Sequence, residues 1–267
     1  MAEPAENRRN IVWIASYPKS GNTWLRFMAC NLLFGTQNSA AALNTMSPDI
    51  HEWGGERLAD HSGLVKTHFY YSPKLPLTER TAAAIYVVRQ PADVLLSNFH
   101  YSQRSNSGSV PAHDAFDRYV DQFLRHRGDP HWIARGMGSW EENVRSWLDA
   151  RSKLPIVLVR YEDLHASPQQ VCAHLARLFA LRRSAEQLDE AVRNSSFERM
   201  REVEDADIRE QRVGIFYKPY LRDSIDAGRR FMRSGVVGEA QRCLTPAQRA
   251  RIAEVFGPTM LQLGYSA

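Results

Sequence analysis

Cysteine is scarce in this chain. Cys30, Cys172 and Cys243 stand far apart, and no two have C-x-x-C spacing. That argues against a disulfide framework and a zinc site, and points to a reducing compartment. Long apolar runs are missing too. The run "IVWIA" is too short for a signal h-region or a membrane span, and "MAEPAENRRN" before it is polar, so the expected location is the cytoplasm with no membrane partner. No single sign of charge dominates. The 34 basic and 30 acidic side chains leave a net +4, spread along the chain, which does not suit a dedicated nucleic-acid binder. Lysine itself is rare, with only five, at positions 19, 66, 74, 153 and 218, all other basic residues being arginine. Where arginine is the default cation, a lysine marks a place that needs a compact, mobile ammonium instead of a planar fork.

What is present suits one α/β domain spanning residues 1–267, with 43% hydrophobic residues to fill its core. Four short apolar runs read as buried strands: 11–17, 63–68, 82–89 and 155–163. Helical patterns lie at 22–34, closed by Gly35, and at 91–101, 114–126, 139–150, 168–180 and 184–193. A last one covers 246–262, with Thr245 as N-cap and Pro246 at N1. The alternation predicts a doubly wound parallel sheet with helices on both faces. Segments 36–62, 102–113 and 200–236 fit neither pattern and are expected to be loops that cover a ligand.

In such a sheet, ligands bind beyond the carboxyl ends of the strands, so the residues that end each strand matter most. The first run leads into "SYPKSGNTW", residues 16–24, which has the parts of a phosphate loop in an unfamiliar order: Lys19 precedes Gly21, and the G-K-[ST] of a Walker loop is absent. A helix N-terminus behind Lys19, Ser20, Gly21, Asn22 and Thr23 makes an anion cradle. The second run ends in Lys66-Thr67-His68, the third in Arg89 with Ser97 about two turns into the next helix, and the fourth in Tyr161-Glu162-Asp163. Taken singly, each has a plainer reading: a solvated lysine, a structural histidine, an Arg89–Asp93 ion pair, a turn cap. Together they describe a ligand with two anionic groups, a proton acceptor nearby, and no metal cage.

These residues resemble the sulfotransferases that use 3′-phosphoadenosine 5′-phosphosulfate (PAPS). "YPKSGNTW", from Tyr17 through Pro18 to Trp24, is similar to that family's 5′-phosphosulfate loop, and "RQPADVLLSNFHYS" to its 3′-phosphate segment with Arg89 and Ser97. "KTH" matches the family's catalytic lysine-threonine-histidine, and "RYEDL" its strand with an adenine-side tyrosine, Tyr161. "NSSF" resembles the stretch bordering the adenine, through Ser195 and Phe197, and "FMRSGVVG" the loop closing on the 3′-phosphate through Arg233, Ser234 and Gly235. The resemblance implies sulfuryl transfer from PAPS to a hydroxyl or amine of a small-molecule acceptor, leaving 3′,5′-bisphosphate (PAP), without a metal. It assigns His68 as general base, Lys19 and Lys66 to the transferring group, and Ser97 to restraining Lys19.

Departures are equally legible. The closing loop continues Gly238-Glu239-Ala240-Gln241, where the family usually has G-D-W-K, and the animal C-terminal dimerisation motif is missing. The high arginine share, the compact length and "SWEENVRSWLDAR" look more like bacterial members, including those that modify natural products. Two other readings remain at this point: a P-loop kinase with Glu162-Asp163 on magnesium, and a non-catalytic module that binds acidic ligands through pairs such as Arg182-Arg183 and Arg229-Arg230.

Overall fold

A computed structural model describes residues 9–105 and 114–266, so most of the expected 102–113 loop lies outside the described residues. Four strands, β1 (Ile11–Ala15), β2 (Gly63–Thr67), β3 (Thr81–Val88) and β4 (Ile156–Arg160), form one parallel sheet in the order β2-β1-β3-β4. Side chains alternate across it, as a period of two requires. Trp13, Ala15, Ala84, Tyr86 and Val88 belong to one core cluster; Ile14, Ile85, Val87 and Val159 belong to the other. Both faces are therefore covered, which is why these strands read as continuous apolar runs.

Helices α1 (Asn22–Phe34), α2 (Ala40–Met46) and α3 (Ile50–Arg57) connect β1 to β2. Between β3 and β4 come α4 (Pro91–Ser105), α5 (Ala115–Arg125), α6 (Pro130–Ala134) and α7 (Trp140–Ala150). After β4 follow α8 (Tyr161–Ala166), α9 (Pro168–Leu178), α10 (Ala185–Arg193), α11 (Phe197–Arg209), α12 (Arg222–Asp226), α13 (Ala240–Cys243) and α14 (Pro246–Gln262). α1 has the expected bounds. Gly35, at φ 82°, closes it and donates its N–H to the Asn31 carbonyl at 3.2 Å. α14 starts where Thr245 and Gln248 form a reciprocal capping box.

Three expectations are corrected. Residues 36–62 are not a plain loop: Ser39 caps α2 by accepting the Ala42 N–H, and Asp49 caps α3 by accepting that of His51. The 200–236 segment begins inside α11, taking in all of it but its first three residues, and contains α12. The fourth strand stops at Arg160, and Tyr161, Glu162 and Asp163 form the first turn of α8, with Asp163 paired to Arg160 at 2.8 Å.

Because β1 is central and the chain goes from it to β2 on one side and β3 on the other, the sheet has its switch point between β1 and β3. A crevice opens there beyond the carboxyl ends.

Candidate active site

The crevice is a cleft with an empty volume of about 1290 Å³, its open mouth included. Pro18, Lys19, Gly21, Asn22, Thr23 and Trp24 line it from the β1–α1 turn, and Lys66 and His68 from the end of β2. Arg89, Ser97, Tyr161, Phe197, Arg233, Ser234 and Gly235 line it from the β3 side and the C-terminal third. Two expected residues do not form its wall. Ser20 is wholly buried in the turn, its hydroxyl without a hydrogen-bond partner. Ser195 is also fully buried: its hydroxyl donates to the Ala191 carbonyl at 2.6 Å and accepts from Asn31 Nδ2 at 2.9 Å. The neighbouring Ser196 lines an adjoining hollow with Trp24 and Phe197 instead.

The turn before α1 is shaped by two left-handed residues, Lys19 at φ 69° and Gly21 at φ 102°. Gly21 tolerates nothing larger, since a Cβ there would stand 2.5 Å from Tyr161 Cδ2. Asn22 anchors the turn by donating Nδ2 to the Ile14 carbonyl at 3.0 Å and to Ser16 Oγ at 3.3 Å. Gly21, Asn22 and Thr23 thus bring the N-terminus of α1, the end of a helix that attracts anions, to the cleft wall. Lys19 Nζ lies 4.3 Å from the Tyr101 ring centre and 4.4 Å from that of Phe231, so its ammonium is flanked by aromatic faces.

At the β2 end, the hydrogen bonds of His68 fix its tautomer. Its Nδ1 sits 2.9 Å from the Ser16 carbonyl oxygen, which can only accept, so Nδ1 carries the hydrogen and Nε2 keeps a lone pair. Burial, then the Lys66 ammonium and His51, push its pKa well below the ordinary histidine value. His51 supports it, accepting the His68 backbone N–H on Nε2 at 2.8 Å. Burial and Lys66 lower the His51 pKa to about 4. Lys66 Nζ pairs with Asp49 Oδ2 at 2.5 Å. Burial alone would raise the Asp49 pKa, but the Lys66 charge and hydrogen bond, together with His51 and His68, outweigh it and keep the carboxylate ionised.

Across the cleft, Arg89 is 8% exposed and stacks on Tyr161, its guanidinium carbon 4.1 Å from the ring centre. Nη2 donates to the Val236 carbonyl at 3.0 Å and reaches Asp93 at 3.5 Å, while Nε is buried without a partner. A buried guanidinium donor left unpaired is costly. Glu162 and Asp163 are engaged with Tyr265 and Arg160, and neither lines the cleft.

Other residues contribute to the wall as well. Asp49, Glu52, Tyr101, Trp132, Lys218 and Tyr220 all line the cleft. Lys218 pairs with Glu52 at 2.8 Å across 166 residues, so three of the five lysines face one cavity. The signal was the rarity of lysine, which applied to Lys218 as much as to Lys19.

The sheet thus brings the cationic side chains Lys19, Lys66, Arg89 and Arg233 and the His68 imidazole into one cleft. The comparisons with known proteins name the class. The sulfotransferase domain model matches residues 9–264, and the chain belongs to that family. It is 27% identical to the 3-beta-hydroxysteroid sulfotransferase of Cavia porcellus over 255 residues, 92% of this chain and 82% of that protein. The amine sulfotransferase of Oryctolagus cuniculus is 27% identical over 274 residues, covering 96% and 82%. Among solved structures, a mouse sulfotransferase complexed with PAP aligns with TM-score 0.68 and 20% identity over 95% of this chain and 84% of that one. Retinol dehydratase in complex with androsterone and PAP aligns with TM-score 0.68 and 17% identity over 94% and 80%. These likenesses support the fold. Among the described residues, no helix is long and apolar enough to cross a membrane.

Proposed function

We propose that this chain transfers the sulfuryl group of PAPS to a hydroxyl or amine of a small-molecule acceptor, with His68 as general base. The observation that carries this reading is the tautomer of His68: a neutral imidazole whose Nε2 lone pair is open, in the same cleft as Lys19 and Lys66. The 5′-phosphosulfate would lie on the N-terminus of α1, and the 3′-phosphate between Arg89, Ser97, Arg233 and Ser234. Trp24, Tyr161 and Phe197 would enclose the adenine.

The acceptor oxygen attacks sulfur in line with the bridging oxygen, the new S–O bond forms as the old one breaks, and the acceptor proton passes to His68 Nε2. The electron pair leaves with the 5′-phosphate of PAP, where Lys19 and the α1 dipole stabilise it. Lys66 neutralises the equatorial sulfuryl oxygens. As in phosphoryl transfer, positioning and electrostatics dominate. Incubation with 35S-labelled PAPS and a panel of phenols, alcohols and amines tests this reading. Label should move to an acceptor with wild type and not with His68→Ala; absence of transfer to every acceptor class, with no turnover of PAPS to PAP, would contradict it.

A further inference from the structure

Arg233, Ser234 and Gly235 cross the far end of the cleft, and their donors already hold an anion supplied by the chain itself. Arg233 Nη1 lies 2.8 Å from Glu239 Oε1 and Nη2 2.5 Å from Oε2, while Ser234 Oγ donates to Oε2 at 2.8 Å. Three donors on one carboxylate is the fork arrangement that also suits a phosphate. Nor is Glu239 a freely swinging surface residue. The buried Asp93 carboxylate accepts the backbone N–H groups on either side of it, from Gly238 at 2.7 Å and Ala240 at 3.0 Å. Arg89 binds the same segment through the Val236 carbonyl at 3.0 Å.

We propose that Glu239 is a specificity-determining residue of the donor site: its carboxylate holds the seat on Arg233 and Ser234 that the nucleotide's 3′-phosphate takes, and the nucleotide binds by displacing it. The inference rests on the donor-site reading above. Two anions cannot share those donors without repulsion, so Glu239 turns out to solvent when the bisphosphate binds. Its side chain, 17% exposed beside an Arg233 that is 36% exposed, has that route. The contact therefore weakens nucleotides that carry a 3′-phosphate and leaves those without one untouched. It also supplies an anion that re-enters as PAP departs, which speeds product release.

The test is calorimetric titration of wild type, Glu239→Gln and Glu239→Ala with PAP and with 5′-AMP at one ionic strength. PAP should bind both variants on the order of tenfold tighter, as expected for removing a partly exposed competing ion pair. 5′-AMP affinity should not change, and the gain should vanish in an Arg233→Ala background. Stopped-flow release of PAP should be slower from Glu239→Gln. Unchanged or weaker PAP binding to both variants, or an equal gain for 5′-AMP, overturns the inference while leaving the donor site standing. If none of the three proteins prefers PAP over 5′-AMP, the donor-site reading has failed and this inference with it.

Discussion

His68 and Ser16 are joined through Nδ1 and a carbonyl oxygen at 2.9 Å, and this contact decides which histidine nitrogen can act. Because the carbonyl fixes the hydrogen on Nδ1, Nε2 is available as a base without prior deprotonation. His68→Ala should therefore abolish turnover while PAP affinity stays within a few-fold of wild type. Equal turnover by the variant would remove the base assignment.

The pH profile follows from the same burial. Since His68 titrates well below the ordinary histidine pKa of about 6.5, kcat/KM should stay flat through that value and fall only at lower pH. A limb centred at or above 6.5 would contradict this. Stability responds with the same sign. His51 and His68 take up protons more readily when unfolded, so the folded state should lose stability as pH falls from about 6.5 toward the folded values. Each contributes at most about 1.4 kcal/mol per pH unit, which urea unfolding between pH 7 and pH 5 would measure.

Asp49 keeps the Lys66 ammonium paired in a setting where both side chains are nearly buried. Asp49→Ala should cost about 3–5 kcal/mol in unfolding, because it leaves a buried charge without a partner. The double variant Asp49→Leu with Lys66→Met should recover much of that stability and none of the turnover. Recovery of both would mean that Lys66 does not touch the transferring group.

How much of this was legible in the sequence depends on how far each residue's partners lie along the chain. α1 and α14 were readable to the residue because Gly35, Thr245 and Pro246 act within one turn of the helix end. Lys19, Gly21, His68 and Arg89 were readable because strand ends converge in this fold. Asp49 and His51 were not: they serve residues 17 positions later, and short polar α3 gives no periodic signal. The burial of Ser195 was not legible, because a one-residue difference before α11 decides whether a side chain faces Asn31 or the hollow beside Trp24. The role of Glu239 was hidden by its position in a departure from the family pattern.

Gly21 has no room for a side chain beside Tyr161. Gly21→Ala should lower nucleotide affinity and destabilise the fold by about 1–3 kcal/mol, combining left-handed strain with overpacking. Pairing it with Tyr161→Leu should restore part of the stability and little of the affinity, measured by thermal unfolding with and without PAP.

Lys19→Met should reduce kcat on the order of a hundredfold or more while PAP binding falls far less, the pattern of a donor that acts on the leaving oxygen. Parallel losses in both would make Lys19 a binding residue only.

The most direct measurement is calorimetric titration of the wild-type protein and Arg89→Ala with PAP, 5′-AMP, and ATP with and without magnesium. Metal-independent binding of PAP, stronger than that of 5′-AMP and cut much more than 5′-AMP by Arg89→Ala, is the predicted result for a cleft built around two separated phosphates. Tighter binding of magnesium-ATP than of PAP, with Arg89→Ala affecting PAP and 5′-AMP equally, would contradict the account.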